Sequence, residues 1–235
     1  MFILMLSVFI PVYNEEAILE RNVGRVVKAL SGLDFEVFIV DDASTDGSSA
    51  IGKRLAASDG RVSYLRFGNG PSRRENLAAS FSKASGDAVA FIDADLSAGP
   101  EYLPEMAGLL GGADVVVGSK FMPDSSVSRG IMRRLFTALA ASFTRLYFGC
   151  SIKDYQCGLK VFKKNALLAL VGDAGYDSSL RRGFAWDTEI LVRACRRGFR
   201  VVEFPVRWVE AEKSSVRIFR DWKMVPYVLR LRFRL

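Results

Sequence analysis

The chain has 235 residues, half of them hydrophobic, with 33 Lys and Arg against 26 Asp and Glu, a net charge of +7 and no histidine. That length and apolar content suit one large or two small packed domains and exclude a disordered chain. Without histidine there is no Ser-His catalytic pair and neither the usual general base nor the usual zinc ligand. The three cysteines, Cys150, Cys157 and Cys195, form no C-x-x-C pair and argue against a disulfide framework and for a reducing, cytoplasmic setting.

In chain order, MFILMLSVFIPV lacks a basic leader and a small-residue cleavage site, so residues 4–12 are expected to form a buried strand rather than a signal peptide. A helix is expected over 15–31, with Glu15 and Glu16 in its first turn. FEVFIVDD, 35–42, is a second apolar strand, and STDGS opens a helix over 47–58. A strand over 62–67, a helix over 73–85, a strand over 87–95 and a helix over 100–111 follow. The second half is less regular. It has a strand over 113–121, an apolar helix over 129–149 carrying Arg129, Arg133, Arg134 and Arg145, and a turn then strand over 153–164. A helix over 183–198 starting near Asp187 and a strand over 199–210 complete the main body. The tail, 214–235, interleaves arginines with Phe219, Trp222, Tyr227 and Phe233, and Pro226 should break it into two shorter helices. No run reaches the roughly 18 apolar residues of a membrane span.

Unbroken apolar strands alternating with helices predict an α/β domain, its parallel sheet covered on both faces. Ligands in such sheets sit beyond the carboxyl ends of the strands. Three segments fall there: Pro11-Val12-Tyr13, Asp41-Asp42 and the FIDADLS run at 91–97. In that run Asp93 and Asp95 are two apart, which on an extended strand puts both carboxylates on one side. Two carboxylates that close repel unless a cation lies between them, and oxygen-only ligands suit Mg²⁺ or Mn²⁺ with phosphates. The charge is also divided. Residues 1–114 hold ten basic and sixteen acidic side chains, net −6, whereas 115–235 hold twenty-three and ten, net +13. A basic half of this size favours an anionic partner such as a phosphate-rich ligand, nucleic acid or a membrane surface.

PVYNEE at 11–16, VDDASTDGS at 40–48 and FIDADLS at 91–97 resemble the three marks of inverting family-two glycosyltransferases with the GT-A fold. VVVGSKFMP (115–123), IMRRLFT (131–137), IKDYQCGLKVFKK (152–164), GFAWDTEIL (183–191) and VVEFPVRW (201–208) narrow the likeness to the polyprenyl-phosphate (dolichyl-phosphate) mannose and glucose synthases. The resemblance covers about residues 6–220 and implies a GT-A domain over 1–213 with a basic amphipathic tail over 214–235. It implies that Pro11, Tyr13 and Glu15 contact the nucleotide base and ribose and that Asp42 reads the base beside the Val40 main chain. Asp93, Ala94 and Asp95 would lie at the ribose and metal, and Ser97 stands where mannose synthases often have a metal-binding Gln. Lys120 occupies a usual arginine position, Arg133 would face the phosphates, and Thr137 falls where a serine often binds the acceptor phosphate. Two departures stand out. Ser72-Arg73-Arg74 replaces a G-K-G loop, and EKSSVR at 212–217 puts Ser215 where a lysine is usual, leaving Lys213 or Arg217 to supply the charge.

The implied reaction is a single inverting displacement from UDP-glucose or GDP-mannose to a lipid phosphate, with Mg²⁺ or Mn²⁺ stabilising the departing diphosphate. A phosphate acceptor is already anionic, so the lack of histidine is compatible with it, and catalysis would rest on positioning and electrostatics by Asp95, Lys120 and Arg133. Asp154 and Gln156 are expected to border the sugar, and Asp187 and Glu189 to bind sugar or position it, with helix capping by Asp187 as the plain structural reading. The protein is expected to be peripheral on the cytoplasmic face of a membrane, with tail and helix 129–149 at its surface, or else with the tail packed on the core. Self-association is left open and nucleic acid is disfavoured, since an acidic crevice repels a phosphate backbone. Two alternatives remain: a GT-A transferase acting on a hydroxyl, which would need Asp187 or Glu189 as base, and a non-catalytic nucleotide-binding module.

Overall fold

Side-chain alternation in the first strand, β1 (Leu6–Val12), sets the layout. Leu6, Val8, Ile10 and Val12 enter one apolar layer, and Phe9 enters the other. The computed structural model describes residues 5–72, 74–128, 131–178, 182–183, 185–209 and 225–234, with the backbone alone for 127, 128, 131–138 and 140. The strands β2 (Phe35–Asp41), β3 (Val62–Arg66) and β4 (Ala88–Ile92) run parallel to β1, linked through α1 (Leu19–Ala29), α2 (Ser48–Ser58) and α3 (Glu75–Ser80). After α4 (Leu103–Gly108) come β5 (Val115–Ser119), the short β6 (Ser126–Ser128), α5 (Ile131–Phe148), β7 (Leu159–Lys163), α6 (Lys164–Ala174) and α7 (Ala185–Arg196). Then follow β8 (Val201–Pro205), β9 (Arg207–Val209) and α8 (Val225–Leu231).

The main sheet has seven strands in the order β3-β2-β1-β4-β7-β5-β8, and β6 pairs with β9 beside it. It is mostly parallel with helices on both faces, as expected. On one face α1 and α4 pack Leu19, Val23, Val26, Leu103 and Met106 against the sheet. On the other, Phe9, Phe81, Phe91, Phe162 and Trp186 form an aromatic layer under α3, α6 and α7.

The exception to the expected, mostly parallel order is β7, antiparallel to both β4 and β5. The chain leaves β5 at the carboxyl edge and starts β7 from that same edge, so α5 is no ordinary crossover. Helix α1 begins at Leu19, leaving Glu15 and Glu16 in the preceding turn, where the Glu15 carbonyl accepts the Leu19 N–H at 2.9 Å. The single strand expected over 199–210 is two strands meeting at Val206, and the second belongs to the small sheet. Helix α6 was not anticipated. It follows β7 directly, and its N-cap is Lys163, with no side-chain hydrogen bond to announce it. The boundary expected at 213/214 lies outside the described residues. Pro226 sits in the first turn of α8, where proline is tolerated. Among the described residues no helix is long and apolar enough to cross a membrane.

Candidate active site

The carboxyl ends of β1, β2 and β4 each run into a residue with left-handed backbone: Asn14 (φ 59°), Ala43 (φ 66°) and Leu96 (φ 50°). For Ala and Leu this conformation costs about 1–2 kcal/mol and persists where neighbours over-determine it. Here the first two loops are stitched together. Ser44 Oγ accepts the Asn14 N–H at 3.1 Å and Ser48 Oγ the Glu15 N–H at 2.9 Å, while Asn14 Oδ1 accepts the Thr45 N–H at 2.7 Å. Glu16 accepts the Gly47 N–H at 2.6 Å, so it ties the turn after β1 to the approach to α2.

Pro11 is half-buried at the end of β1 and Tyr13 is exposed just past it. Val40 is buried within β2. Asp41 takes hydrogen bonds from Tyr64 and Ser44 and pairs with Arg66 at 2.7 Å. Burial alone would raise its pKa, but these contacts outweigh it and hold the carboxyl below the ordinary aspartate value. Asp42 is engaged by Ser72, through its N–H at 2.7 Å and hydroxyl at 2.8 Å, and by the Asn76 amide at 2.6 Å. The departing Ser72-Arg73-Arg74 segment therefore has a local role, since Ser72 ties its loop to the carboxylate of Asp42.

Asp93 and Asp95 lie beyond β4, which ends at Ile92, so a turn brings them together rather than strand alternation. The Leu96 N–H closes that turn on the Asp93 carbonyl at 2.9 Å, and Ser97 donates its N–H to Asp95 Oδ1 at 2.9 Å. Glu15 faces them. Its carboxyl is pushed up to about 7 by burial and then by Asp95, Asp46 and Asp93. Asp95 is raised by burial and by Asp93, against the hydrogen bonds of Ser97 and the charge of Arg74. A cation would relieve this crowding. Among the described residues no group of three Asp, Glu, Cys or His side chains could hold an ion unaided, so bound phosphates would have to complete its shell. A Cβ on Gly158 would come 1.9 Å from Asp93 Oδ2, so any larger residue there would displace that carboxylate.

Behind the carboxylates runs a buried chain of charges that the sequence did not disclose. Arg74 pairs with Asp93 at 3.0 Å and with Asp187 at 2.9 Å, and Lys160 reaches the other Asp187 oxygen at 2.7 Å. Asp187 is thus enclosed between two cations in the first turn of α7, and they outweigh its burial and hold its pKa low. Glu189 is also enclosed, by Arg182 at 3.2 Å, Arg193 at 2.7 Å and the Tyr227 hydroxyl at 2.5 Å. Arg182 reaches on to Glu75 at 2.6 Å. One signal for Lys160 was present, a charge inside the apolar run GLKVF; nothing in the sequence pairs Arg182 with Glu75.

Lys120 follows β5 and pairs with Asp154 at 2.7 Å, its ammonium 4.2 Å from the Trp208 ring centroid. Asp154 also accepts the Lys120 N–H, and Glu203 holds the N–H groups of Lys153 and Asp154. Gln156 donates to Thr188 at 2.9 Å, next to Asp187. The structure therefore brings Glu15, Asp93 and Asp95 together, joins Asp93 to Asp187 through Arg74, and pairs Lys120 with Asp154. Arg133 and Thr137 fall within α5, where only the backbone is described, and Lys213 and Arg217 lie outside the described residues.

Comparisons with known proteins agree with this geometry. The signature of Glycosyl transferase family 2 matches residues 7–170. Glycosyltransferase AglD of Haloferax volcanii is 34% identical over 92% of this chain, which spans only 35% of that relative's length. Undecaprenyl-phosphate mannosyltransferase of Micrococcus luteus is 29% identical over 89% of this chain and 85% of the relative. Polyprenol monophosphomannose synthase of Mycolicibacterium smegmatis is 30% identical, with 87% and 77% covered. Among solved structures, glucosyl-3-phosphoglycerate synthase of Mycobacterium tuberculosis, in complex with Mn²⁺, UDP and phosphoglyceric acid, superposes with a TM-score of 0.67 at 20% identity, over 97% of this chain and 78% of that one. The fold is the GT-A arrangement that the motifs implied.

Proposed function

From the premise that this chain belongs to glycosyl transferase family 2, we propose that it transfers a hexose from UDP-glucose or GDP-mannose to a polyprenyl (dolichyl) phosphate, with inversion to a β-linked product. The two bacterial relatives named for polyprenyl-type phosphates support this acceptor, and both are covered over most of their length. One observation carries the reading: Glu15, Asp93 and Asp95 crowd one another at the carboxyl edge, with the cation Lys120 at the carboxyl end of β5 on that same edge.

The residues fit a divalent ion, Mg²⁺ or Mn²⁺, held by Asp93 and Asp95 with Ser97 in support. When bound it would act as a Lewis acid on the leaving diphosphate. Glu15, Tyr13 and Pro11 border the nucleoside, and Asp42 braces that wall through Ser72 and Asn76. Arg74 and Gly158 hold Asp93 in one orientation, which is the positioning on which such displacements depend. Lys120, oriented by Asp154 and Trp208, and Arg133 offset the two phosphates brought close together. An acceptor phosphate needs no proton removed, so Asp187 and Glu189 can stay ion-paired, Asp187 positioning Arg74 and Lys160. The enzyme would work at the cytoplasmic face of a membrane through α5 and the basic tail.

A donor screen tests this. Purified protein with Mg²⁺ or Mn²⁺ and a short-chain polyprenyl phosphate should turn over one of the two sugar nucleotides. Turnover only with hydroxyl acceptors, or none with any acceptor, would refute the assignment.

A further inference from the structure

At the start of α3 three consecutive residues are each held by a different part of the molecule. Arg74 pairs with Asp93 and Asp187, and Asn76 donates to Asp42. Between them, Glu75 is buried against Arg182, which donates from Nε to Oε1 at 2.7 Å and from Nη2 to Oε2 at 2.6 Å. A bidentate fork of this kind fixes a carboxylate in one orientation. The other three N–H groups of Arg182 reach the Ala174 carbonyl at 3.0 Å, the Gly175 carbonyl at 2.7 Å and Glu189 Oε2 at 3.2 Å. All five guanidinium donors are therefore engaged, on a side chain only 1% accessible. The Tyr227 hydroxyl of α8 donates to the same Glu189 oxygen at 2.5 Å, while Arg193 donates twice to Oε1. A continuous buried route thus leads from the C-terminal helix through Glu189, Arg182 and Glu75 to the residue between Arg74 and Asn76. In the low dielectric of the interior such bonds strengthen one another, so the loss of one donor is felt along the route.

We propose that Tyr227 is a positioning residue for the nucleotide site. Its hydrogen bond fixes Glu189, and Glu189 with the two loop carbonyls fixes the Arg182 fork. The fork in turn sets the start of α3, so that Arg74 holds Asp93 and Asn76 holds Asp42 where the bound nucleotide needs them. The nucleotide and metal are those of the proposed function, on which this role rests; the route stands on the described contacts alone. Substitutions along such packed routes shift binding at a distant site by about three- to tenfold without touching the ligand.

The test is a binding titration of the full chain with UDP and with GDP, in the presence of Mn²⁺ and without acceptor. Wild type is compared with Tyr227→Phe, which keeps the ring, with Arg74→Lys, and with the two combined. Tyr147→Phe is the control, because it removes another tether of α8, the hydrogen bond to the Leu229 carbonyl at 2.8 Å, without touching Glu189. Tyr227→Phe should weaken the nucleotide that wild type binds by about three- to tenfold, and Tyr147→Phe should leave that affinity unchanged. In the Arg74→Lys background Tyr227→Phe should add less than about twofold, since both act on the same carboxylate. Wild-type affinity in Tyr227→Phe, even with a lowered unfolding midpoint, would overturn the proposal and leave Tyr227 a structural tether. So would an equal loss in Tyr147→Phe, which would make the effect one of helix seating alone. A full, additive loss in the double variant would also overturn it, because independent sites add. The parent reading fails separately. The expected loss of binding with no transfer to polyprenyl phosphate keeps the role of Tyr227 and removes that reaction, whereas transfer with unchanged affinity in Tyr227→Phe removes the role alone.

Discussion

The two halves of the molecule solve the problem of charge in opposite ways. In the first, carboxylates gather at the carboxyl edge with too few cations, and the excess shows in the raised pKa values of Glu15 and Asp95. In the second, the carboxylates that matter are saturated: Asp187 has two cationic partners and Glu189 has three hydrogen-bonding ones. There, among the described residues, most exposed Arg and Lys have no carboxylate partner, with Lys163 and Arg197 as exceptions. An under-compensated acidic edge waits for a cation, and an under-compensated basic surface waits for anions. Compensated carboxylates, however deep, hold the scaffold.

That contrast can be broken most severely at Asp95. Asp95→Ala should lower sugar transfer by at least about 10³-fold, roughly 4 kcal/mol of transition-state stabilisation. The unfolding midpoint should hold or rise, because a crowded charge is removed. Initial rates and thermal unfolding on one preparation check both, and retained turnover would end the view that the acidic edge does the chemistry.

Next in size is the buried network. Arg74→Met leaves Asp187 with Lys160 as its one cation and Asp93 with none of its own, and should cost about 1–3 kcal/mol in urea unfolding, with Arg74→Lys recovering part. Arg54→Ala, at an exposed pair whose side chains are 59% and 61% accessible, should cost less than about 1 kcal/mol. Equal effects at the two sites would erase the distinction between matched interior and solvated surface.

The third prediction concerns pH and metal. Glu15 keeps its proton up to about 7 in the folded chain but releases it near 4.5 when unfolded. Metal-free stability should therefore fall as pH rises between those values, because the folded state binds the extra proton. Asp41 acts in the opposite sense and at lower pH: its contribution is present above its unfolded value of 3.8 and is lost as pH falls through its depressed folded value. Mg²⁺ or Mn²⁺ at one fixed concentration, about a hundred times its dissociation constant at pH 8, should restore about 2.7 kcal/mol there, with a smaller midpoint shift at pH 5.5. A shift independent of pH would place the ion elsewhere.

The smallest expected effect lies on the basic side. Leu146→Ser and Phe233→Ser remove exposed apolar groups, 78% and 87% accessible, and should each weaken flotation with anionic vesicles several-fold while leaving nucleotide binding intact. Unchanged flotation would assign this surface to something other than lipid. Part of the tail does pack on the core: Leu231 is buried, and Tyr147 donates its hydroxyl to the Leu229 carbonyl. Among the described residues α8 thus packs one face on the core and leaves Val225 and Leu229 exposed.

Much of the fold was legible because its signals are local. Continuous apolar runs marked β1, β2, β4 and β5, and the acidic endings of β2 and β4 marked the ligand edge. The misses share one cause. Helix α6 begins with no capping residue, the break at Val206 depends on a second sheet, and the turn at Asp93 and Asp95 depends on Leu96 holding a left-handed backbone. Each of these is stabilised by neighbours distant in the chain, so no window of sequence displays it.

The sequence by itself determined the class of fold, the family and three strand ends that meet, because burial periodicity and short motifs are written in consecutive residues. Only the tertiary structure decided which carboxylates remain available. Arg74 meets Asp187 across 113 positions of the chain, and Arg182 meets Glu75 across 107. Whether a buried carboxylate is a ligand or a brace depends on the cation beside it, and that neighbour is chosen by packing.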